Sequence, residues 1–432
     1  MTVTISDLNP GQQKAADAFF EFLFSDDREF IISGPAGVGK THLMTYIIDQ
    51  TMPRYLETCK LLGIPAEYDE VVMTATTNKA AEVLAQATKR PTSTVHSFLS
   101  LKVKDDYATG GTTLTKTRQW KVHERKILFV DECSMIDTPL WMAIQEGLIK
   151  SKIVYVGDHS QLAPVTEALS PIYKHDSPFF ELTQPMRNAN QPALMAVCQQ
   201  LRETVQTGEF KPIRIVPGVI DHLDDYQMQQ TIDVAFQEQT HQARILGYTN
   251  RRVVEYNDHI RGLRSLSREF QVGELLVNTS AIQLSNAMLP VEAGVEITCN
   301  RGASTVNIAP DVDLLVNHLD FKADCGEVFT NVPTFVDRDH FDALVKYYGK
   351  QKNWDRYFFL KNSFVDLRPR DAATVHKSQG SSYDAVFVDL GNISTCHQSD
   401  QVARMLYVAF SRARSRVFMY GDLSPKYGGL IS

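Results

Sequence analysis

The chain has 432 residues, 43% apolar and 22% charged, enough for about three domains of ordinary size. Its formal charge of −7 gives no overall attraction for nucleic acid, though a local basic groove would suffice for that. The cysteines (Cys59, Cys133, Cys198, Cys299, Cys325 and Cys396) are scattered without a C-x-x-C pair, which argues against a disulfide framework or a zinc site and suits a reducing compartment.

The start, "MTVTISDLNPGQQKAADAFF", lacks the basic and apolar regions of a signal peptide. No apolar run approaches the ~20 residues that span a bilayer, so no membrane partner is expected. Segments 28–50, 71–88, 127–148 and 153–170 each read as a short apolar strand leading into a loop or helix, the alternation of a parallel sheet covered by helices. In the first of them "FIIS" leads into "GPAGVGKT", residues 34–41, and then "HLMTYII". Gly34, Gly37 and Gly39 free this loop, completed by Pro35, Ala36 and Val38, to aim backbone N–H groups at phosphate oxygens. Lys40 is placed to reach the β and γ phosphates of ATP, and the Thr41 hydroxyl to ligate Mg2+.

The second segment carries "TTNKAAEV". Asn78-Lys79 would suit a guanine site only with an aspartate two residues on, and Ala81 stands there, so a GTPase is rejected. "LSLKVKDDYATGGTTLTKTRQWKV" follows: Leu99, Leu101 and Val103 alternate with polar residues, Gly110-Gly111 makes a turn, and Leu114, Lys116, Arg118, Trp120 and Val122 share one face of a return strand. A β-hairpin over 98–122 is expected. The stretch from Leu99 to Lys126 has a local excess of four positive charges. In "KILFVDECSM" the apolar residues Ile127 to Val130 end at Asp131 and Glu132, putting both carboxylates at the carboxyl end of a buried strand. Beside a phosphate loop, Asp131 is suited to hold Mg2+ and Glu132 to orient and deprotonate the attacking water.

A second α/β unit is expected over 189–270 and 368–432, interrupted by a β-rich insert over 271–367. The first then covers 1–97 and 123–188. Taken together, "LNPGQQKA", "GPAGVGKT", "TATTNKAAEVL", "STVHSFL", "VDECSM", "VGDHSQLAPV", "LTQPMRN", "YTNRRV", "TVHKSQG" and "LYVAFSRARSR" resemble, in this order, the superfamily 1 helicases of the RecD-like group. The resemblance covers nearly the whole chain and is weakest between about 275 and 365. It implies an α/β fold of two RecA-like domains, a hairpin inserted in the first and a small SH3-like module in the second.

By that resemblance Gln12 reads adenine, Gln161 links γ-phosphate to DNA, and Arg187 and Arg412 reach the γ-phosphate from the other domain. Thr76, Thr77, Asn78, Lys79, Thr94 and His96 match DNA-contacting positions, as do Thr374 and His376, while Gly380 closes the motif that joins the two sites. Thr and Asn at such loop ends also serve as plain helix caps. Phe98, in or beside the hairpin, is a candidate for stacking on a base; Trp120, on its apolar face, reads as packing. In "LVKYYGKQKNWDRYFFLK" six aromatics interleave with Lys and Arg, and a packed helix pair is the favoured reading. The resemblance further implies translocation from 5′ to 3′ on single-stranded DNA, unwinding at a duplex fork, a monomer, a single-stranded-DNA-binding protein as partner, and a phage protein in host cytoplasm. The rival readings are a translocase that displaces bound proteins with little unwinding, and a P-loop ATPase that ignores DNA.

Overall fold

Alternate residues of the strand Glu29–Ser33 enter two different cores, Phe30 and Ile32 on one side and Ile31 on the other. Ile127 and Phe129 alternate with Leu128 and Val130 in the same way along Lys126–Asp131. A strand buried on both faces belongs inside a parallel sheet with helices above and below. The computed structural model describes residues 4–431 apart from 165, 166, 168, 185–190, 241, 268, 285, 286 and 311.

The first sheet has six parallel strands in the order Phe179–Glu181, Glu29–Ser33, Lys152–Gly157, Lys126–Asp131, Glu70–Ala75 and Thr92–Thr94. Its register pairs Ser33 with Gly157 and Ala75 with Asp131. The carboxyl ends of four strands therefore meet at one edge, where ligands bind in open α/β sheets. A second sheet of five parallel strands has the order Ile220–Leu223, Ala413–Tyr420, Tyr383–Asp389, Ala243–Gly247 and Ala372–Thr374. The helices Pro192–Thr207 and Ser399–Ser411 bury their apolar faces in its main core.

Between the two halves of this second unit lies a five-stranded antiparallel sheet, built on the long ribbon of Gly294–Ala309 and Val312–Ala323. Leu367–Pro369 is its last strand, so the sheet runs two residues past the boundary expected from sequence. The aromatic-rich segment forms the helices Arg338–Lys350 and Trp354–Ser363, which close over one end of the ribbon through Phe341, Tyr348, Leu360 and Phe364.

The hairpin pairs Leu101–Asp105 with Thr112–Lys116. Its return strand ends at Lys116 rather than continuing to Val122. Thr117 N–H makes the last bond of the ladder, to the Ser100 carbonyl; Trp120 N–H then turns back to the Thr117 carbonyl, and the Lys116 ammonium lies over the Trp120 ring. Trp120 packs against Gly147 and the first domain's core. Among the described residues no helix is long and apolar enough to cross a membrane.

Candidate nucleotide and nucleic-acid site

The loop after Ser33 turns through positive φ at Gly37 (86°) and Gly39 (80°), a conformation that favours glycine. Gly34 is needed for closeness instead: a Cβ there would lie 2.5 Å from the Leu182 carbonyl oxygen. Val38 is buried beneath the loop, and Lys40 opens the helix Lys40–Tyr46, with Thr41 in its first turn. The Lys40 ammonium donates to the carbonyls of Gly34 (2.6 Å) and Pro35 (3.1 Å). These are bonds that a phosphate, with its full charge, would displace.

Gln12 is fully buried against this loop. Its Oε1 accepts from Asn9 N–H at 2.9 Å, and its Nε2 donates to the carbonyls of Val38 and Gly39, both at 3.2 Å. The side chain thus ties the first helix to the phosphate loop, and contact with a base would require these bonds to exchange.

Across the sheet edge, burial, reinforced by the neighbouring Glu132 charge and partly offset by Lys40, pushes the Asp131 carboxyl up to about 7. Two adjacent carboxylates, with the Lys40 charge acting on Asp131, suit a hard cation. Mg2+ keeps most of its waters and takes one or two protein oxygens, so Thr41 and Asp131 fit it. Glu132 sits in left-handed backbone at φ 54°, and its buried Oε2 has no hydrogen-bond partner among the described residues. Backbone strain at a non-glycine residue is typical of functional positions.

The Gln161 Oε1 and Gln379 Oε1 are likewise buried with no partner among the described residues. Three orphaned acceptors at such a cleft call for donors or a cation from outside. Gln379 already reaches across the domains, its Nε2 donating to Ser134 Oγ at 3.2 Å. Gly380 follows at φ 80°.

Arg412 is buried within the second domain. Its guanidinium donates to the carbonyls of Ser381 (3.1 Å) and Val408 (3.3 Å) and to Ser411 Oγ (3.0 Å). Arg187 lies outside the described residues.

The DNA-contacting candidates hold different places in the fold. Thr77 and Thr94 cap helices, accepting from Ala80 and Ser97 N–H, so the plain capping reading holds for both. Thr76 braces Glu132, donating through Oγ1 to its carbonyl at 3.1 Å. Asn78 is exposed and Lys79 pairs with Glu82. Burial holds the imidazoles of His96 and His376 below their ordinary range, leaving them neutral at pH 7. Phe98 stacks on His123, centroids 4.2 Å apart, and is half-buried rather than free. Thr374 is buried, its Oγ1 accepting from Lys377 N–H, and the Lys377 ammonium is 3.2 Å from Glu292 of the insert.

Sequence reasoning missed a set of residues that join the domains: Asp158, Arg202, Arg404 and Tyr407. The Arg404 guanidinium donates to the carbonyls of His159 (2.9 Å) and Gln161 (2.6 Å), and the Tyr407 hydroxyl donates to Asp158 at 2.5 Å. Tyr407 lies inside the quoted "LYVAFSRARSR" and Arg404 just before it, but nothing in spacing says which residues of a helix face a loop some 245 positions away.

Residues 7–213 match the family model described as an AAA domain, and residues 371–420 that of a UvrD-like helicase C-terminal domain. The chain is 24% identical to the ATP-dependent DNA helicase dda of Enterobacteria phage T4, over 96% of this chain and 100% of that one. It is 22% identical to an uncharacterized protein of Acanthamoeba polyphaga mimivirus, covering 95% and 99% of the two chains. Among solved structures it is similar to Pif1 helicase from Bacteroides in complex with ADP-AlF3 and single-stranded DNA. That match has 14% identity, covers 98% of this chain and 94% of the other, and has a TM-score of 0.49. Pif1 helicase from Candida albicans gives 15% identity, 98% and 97% coverage, and a TM-score of 0.41.

Proposed function

We infer that this chain is a superfamily 1 helicase of the RecD-like group, an ATP-dependent enzyme acting on DNA. The observation that carries the reading is the grouping of Lys40, Asp131 and Glu132 at one sheet edge, with Gln379 of the other α/β domain bonded to Ser134 two residues beyond Glu132. A site that is complete only when two domains meet can convert hydrolysis into their relative movement.

The phosphate loop and Lys40 would hold the triphosphate, and Thr41 and Asp131 would hold Mg2+. The metal supplies charge neutralisation between the β and γ phosphates. Glu132 would take the proton of the attacking water, and Gln161, Arg187 and Arg412 would respond to the γ-phosphate. Gln12 and Gly380 would border the nucleotide.

Thr76, Thr77, Asn78, Lys79, Thr94, His96, Phe98, Thr374 and His376 supply hydroxyl, amide, amine and ring groups. These suit backbone positioning and stacking rather than sequence readout. Movement from 5′ to 3′ and unwinding at a fork extend the same reading, with the hairpin over 98–122 as the separating element.

The test is ATP hydrolysis with and without single-stranded DNA, run beside unwinding of duplexes tailed at the 5′ or the 3′ end. Stimulation together with unwinding of only the 5′-tailed duplex is expected. Turnover indifferent to DNA would leave a P-loop ATPase of another class.

A further inference from the structure

The turn after strand Lys152–Gly157 belongs by chain position to the first domain, yet its side chains and carbonyls are held by the second. Leu162 is buried in the second domain's main core, among residues of the helices Pro192–Thr207 and Ser399–Ser411. Asp158 is fully buried, a position a carboxylate keeps only with partners. They come from the same two helices: the Tyr407 hydroxyl at 2.5 Å and the Arg202 guanidinium at 3.6 Å, with Arg202 also paired to Glu181 at 2.6 Å. One turn from Tyr407, Arg404 uses one nitrogen for both the His159 and the Gln161 carbonyl. His159 bridges the other way. Its Nδ1 is 2.9 Å from Ser33 Oγ, beside the phosphate loop, and its Nε2 is 3.1 Å from Gln206 Nε2 of Pro192–Thr207.

Arg404 thus fixes the backbone on either side of Ser160, while the Gln161 side-chain oxygen has no partner among the described residues. The same helix, Ser399–Ser411, carries Arg412 as its C-terminal cap. A helix is stiff over so short a distance, so Gln161 and Arg412 are attached to one body.

We propose that Arg404 and Tyr407 are positioning residues that build the 158–162 turn into the second α/β domain, so that domain closure and the approach of Gln161 to the nucleotide are a single movement. The Arg404 guanidinium is engaged by the turn and by Asp400 of its own helix, and the Tyr407 hydroxyl by Asp158. Their loss uncouples the sensor from closure without emptying either site. The proposal rests on the ATPase reading above and concerns only how its parts are linked.

The experiment compares wild type with Arg404→Met, Arg404→Lys and Tyr407→Phe, measuring kcat and KM for ATP with and without oligo-dT, and oligo-dT affinity without nucleotide. An interaction needed only as the transition state is reached lowers kcat and leaves KM alone. For Arg404→Met, kcat in the presence of oligo-dT should therefore fall about tenfold or more, while KM and DNA affinity move less than about threefold. Arg404→Lys, which keeps a donor, should recover part of the loss. Tyr407→Phe keeps the ring in the core and should show the same split to a smaller degree.

Loss of folded protein would lower kcat only in proportion to active sites, so each rate is normalised to ATP-binding sites. Should Arg404→Met fail to fold, Tyr407→Phe decides. Normalised kcat unchanged in Arg404→Met and Tyr407→Phe, or in Tyr407→Phe alone if the other does not fold, overturns the proposal. If oligo-dT fails to stimulate even the wild type, the helicase reading falls, and the coupling is judged on basal kcat by the same criterion.

Discussion

The ring of Tyr107, at the tip of the hairpin in the first domain, lies 4.9 Å from that of Phe358 in the insert of the second. Two further contacts secure the tip. Asn362 donates to Asp105 at 2.6 Å, and the Trp354 ring occupies the space where a Cβ on Gly110 would sit, 2.2 Å away. The hairpin is therefore held at both ends, by Leu101, Leu114 and Trp120 in the first core and by the helix Trp354–Ser363 at the turn. Tyr107 thus braces the hairpin, and 54% of it stays exposed.

A separating element must not bend when the duplex pushes back. Opening each stacked step costs about 1.4 kcal/mol, roughly a tenfold bias against each advance. Gly110→Ala combines a clash with Trp354 and a residue disfavoured at φ 75°, and should lift the tip off the insert. Unwinding is expected to fall by about tenfold, taking one such step as the measure, while DNA-stimulated ATP hydrolysis stays at the wild-type level. Equal losses in both activities, or unwinding at the wild-type rate, would show that the brace has no part in separation.

Glu132 combines left-handed backbone with a buried Oε2 that has no partner among the described residues, and Lys40 rests on its own loop's carbonyls. Glu132→Gln should bind ATP normally yet lose roughly 10²- to 10⁴-fold in turnover, the usual contribution of a positioned base. Lys40→Ala should lose turnover through weakened phosphate binding as well. Fluorescent-nucleotide titration beside steady-state hydrolysis separates the two. Ordinary turnover in Glu132→Gln would remove that residue from the role of base.

Asp131 gives a pH-dependent signature. Its carboxyl, near 3.8 when unperturbed, is pushed up to about 7 by burial first and the Glu132 charge second. Between these values the folded chain holds a proton that the unfolded chain has released. Stability from this group is therefore greatest at low pH and declines as pH rises towards 7, above which the penalty is constant. Asp131→Asn removes the penalty. Without nucleotide and Mg2+, its melting temperature at pH 8 should exceed wild type by about 3 °C or more, the equivalent of roughly 1 kcal/mol. The gap should narrow towards pH 5, and hydrolysis should be lost throughout. Thermal melts across this range check it; an equal or lower melting temperature at pH 8 counts against a strained carboxylate.

How much of this was legible depends on whether a feature is local. The strand, loop and helix from Glu29 to Tyr46 could be read directly, because the phosphate loop needs glycine at Gly37 and Gly39 and the strand is apolar on both faces. The end of the hairpin's return strand could not. Leu114 to Val122 keeps a strand-like alternation, but beyond Thr117 the facing segment is the short helix Val95–Phe98 with Ser100 at φ 53°, and Trp120 N–H turns back to the Thr117 carbonyl. Asp158 and Tyr407 read as an ordinary loop acid and an ordinary helix aromatic. Their pairing depends on a domain contact between residues 249 positions apart. The same holds for the hairpin tip, whose partner lies in an insert that sequence reading treated as separate.

Arg412 tests whether the domains must move for hydrolysis to occur. In this arrangement its guanidinium is buried and donates to Ser381, Val408 and Ser411, all in its own domain. These are neutral acceptors, and a γ-phosphate would attract the guanidinium more strongly than carbonyls do, since bonds to an ionised partner are about twice as strong. An arginine finger held back on weak acceptors until closure keeps hydrolysis slow when the domains are apart. Supplying such an arginine in the transition state is worth roughly 10³- to 10⁵-fold in rate. Arg412→Ala should lose turnover on that scale while single-stranded DNA binding stays within a few-fold of wild type. Arg412→Lys should rescue little, because an ammonium lacks the planar fork. Turnover reduced by less than tenfold in Arg412→Ala would mean that the finger is another residue, and that the bonds to Ser381 and Val408 are simply how this helix ends.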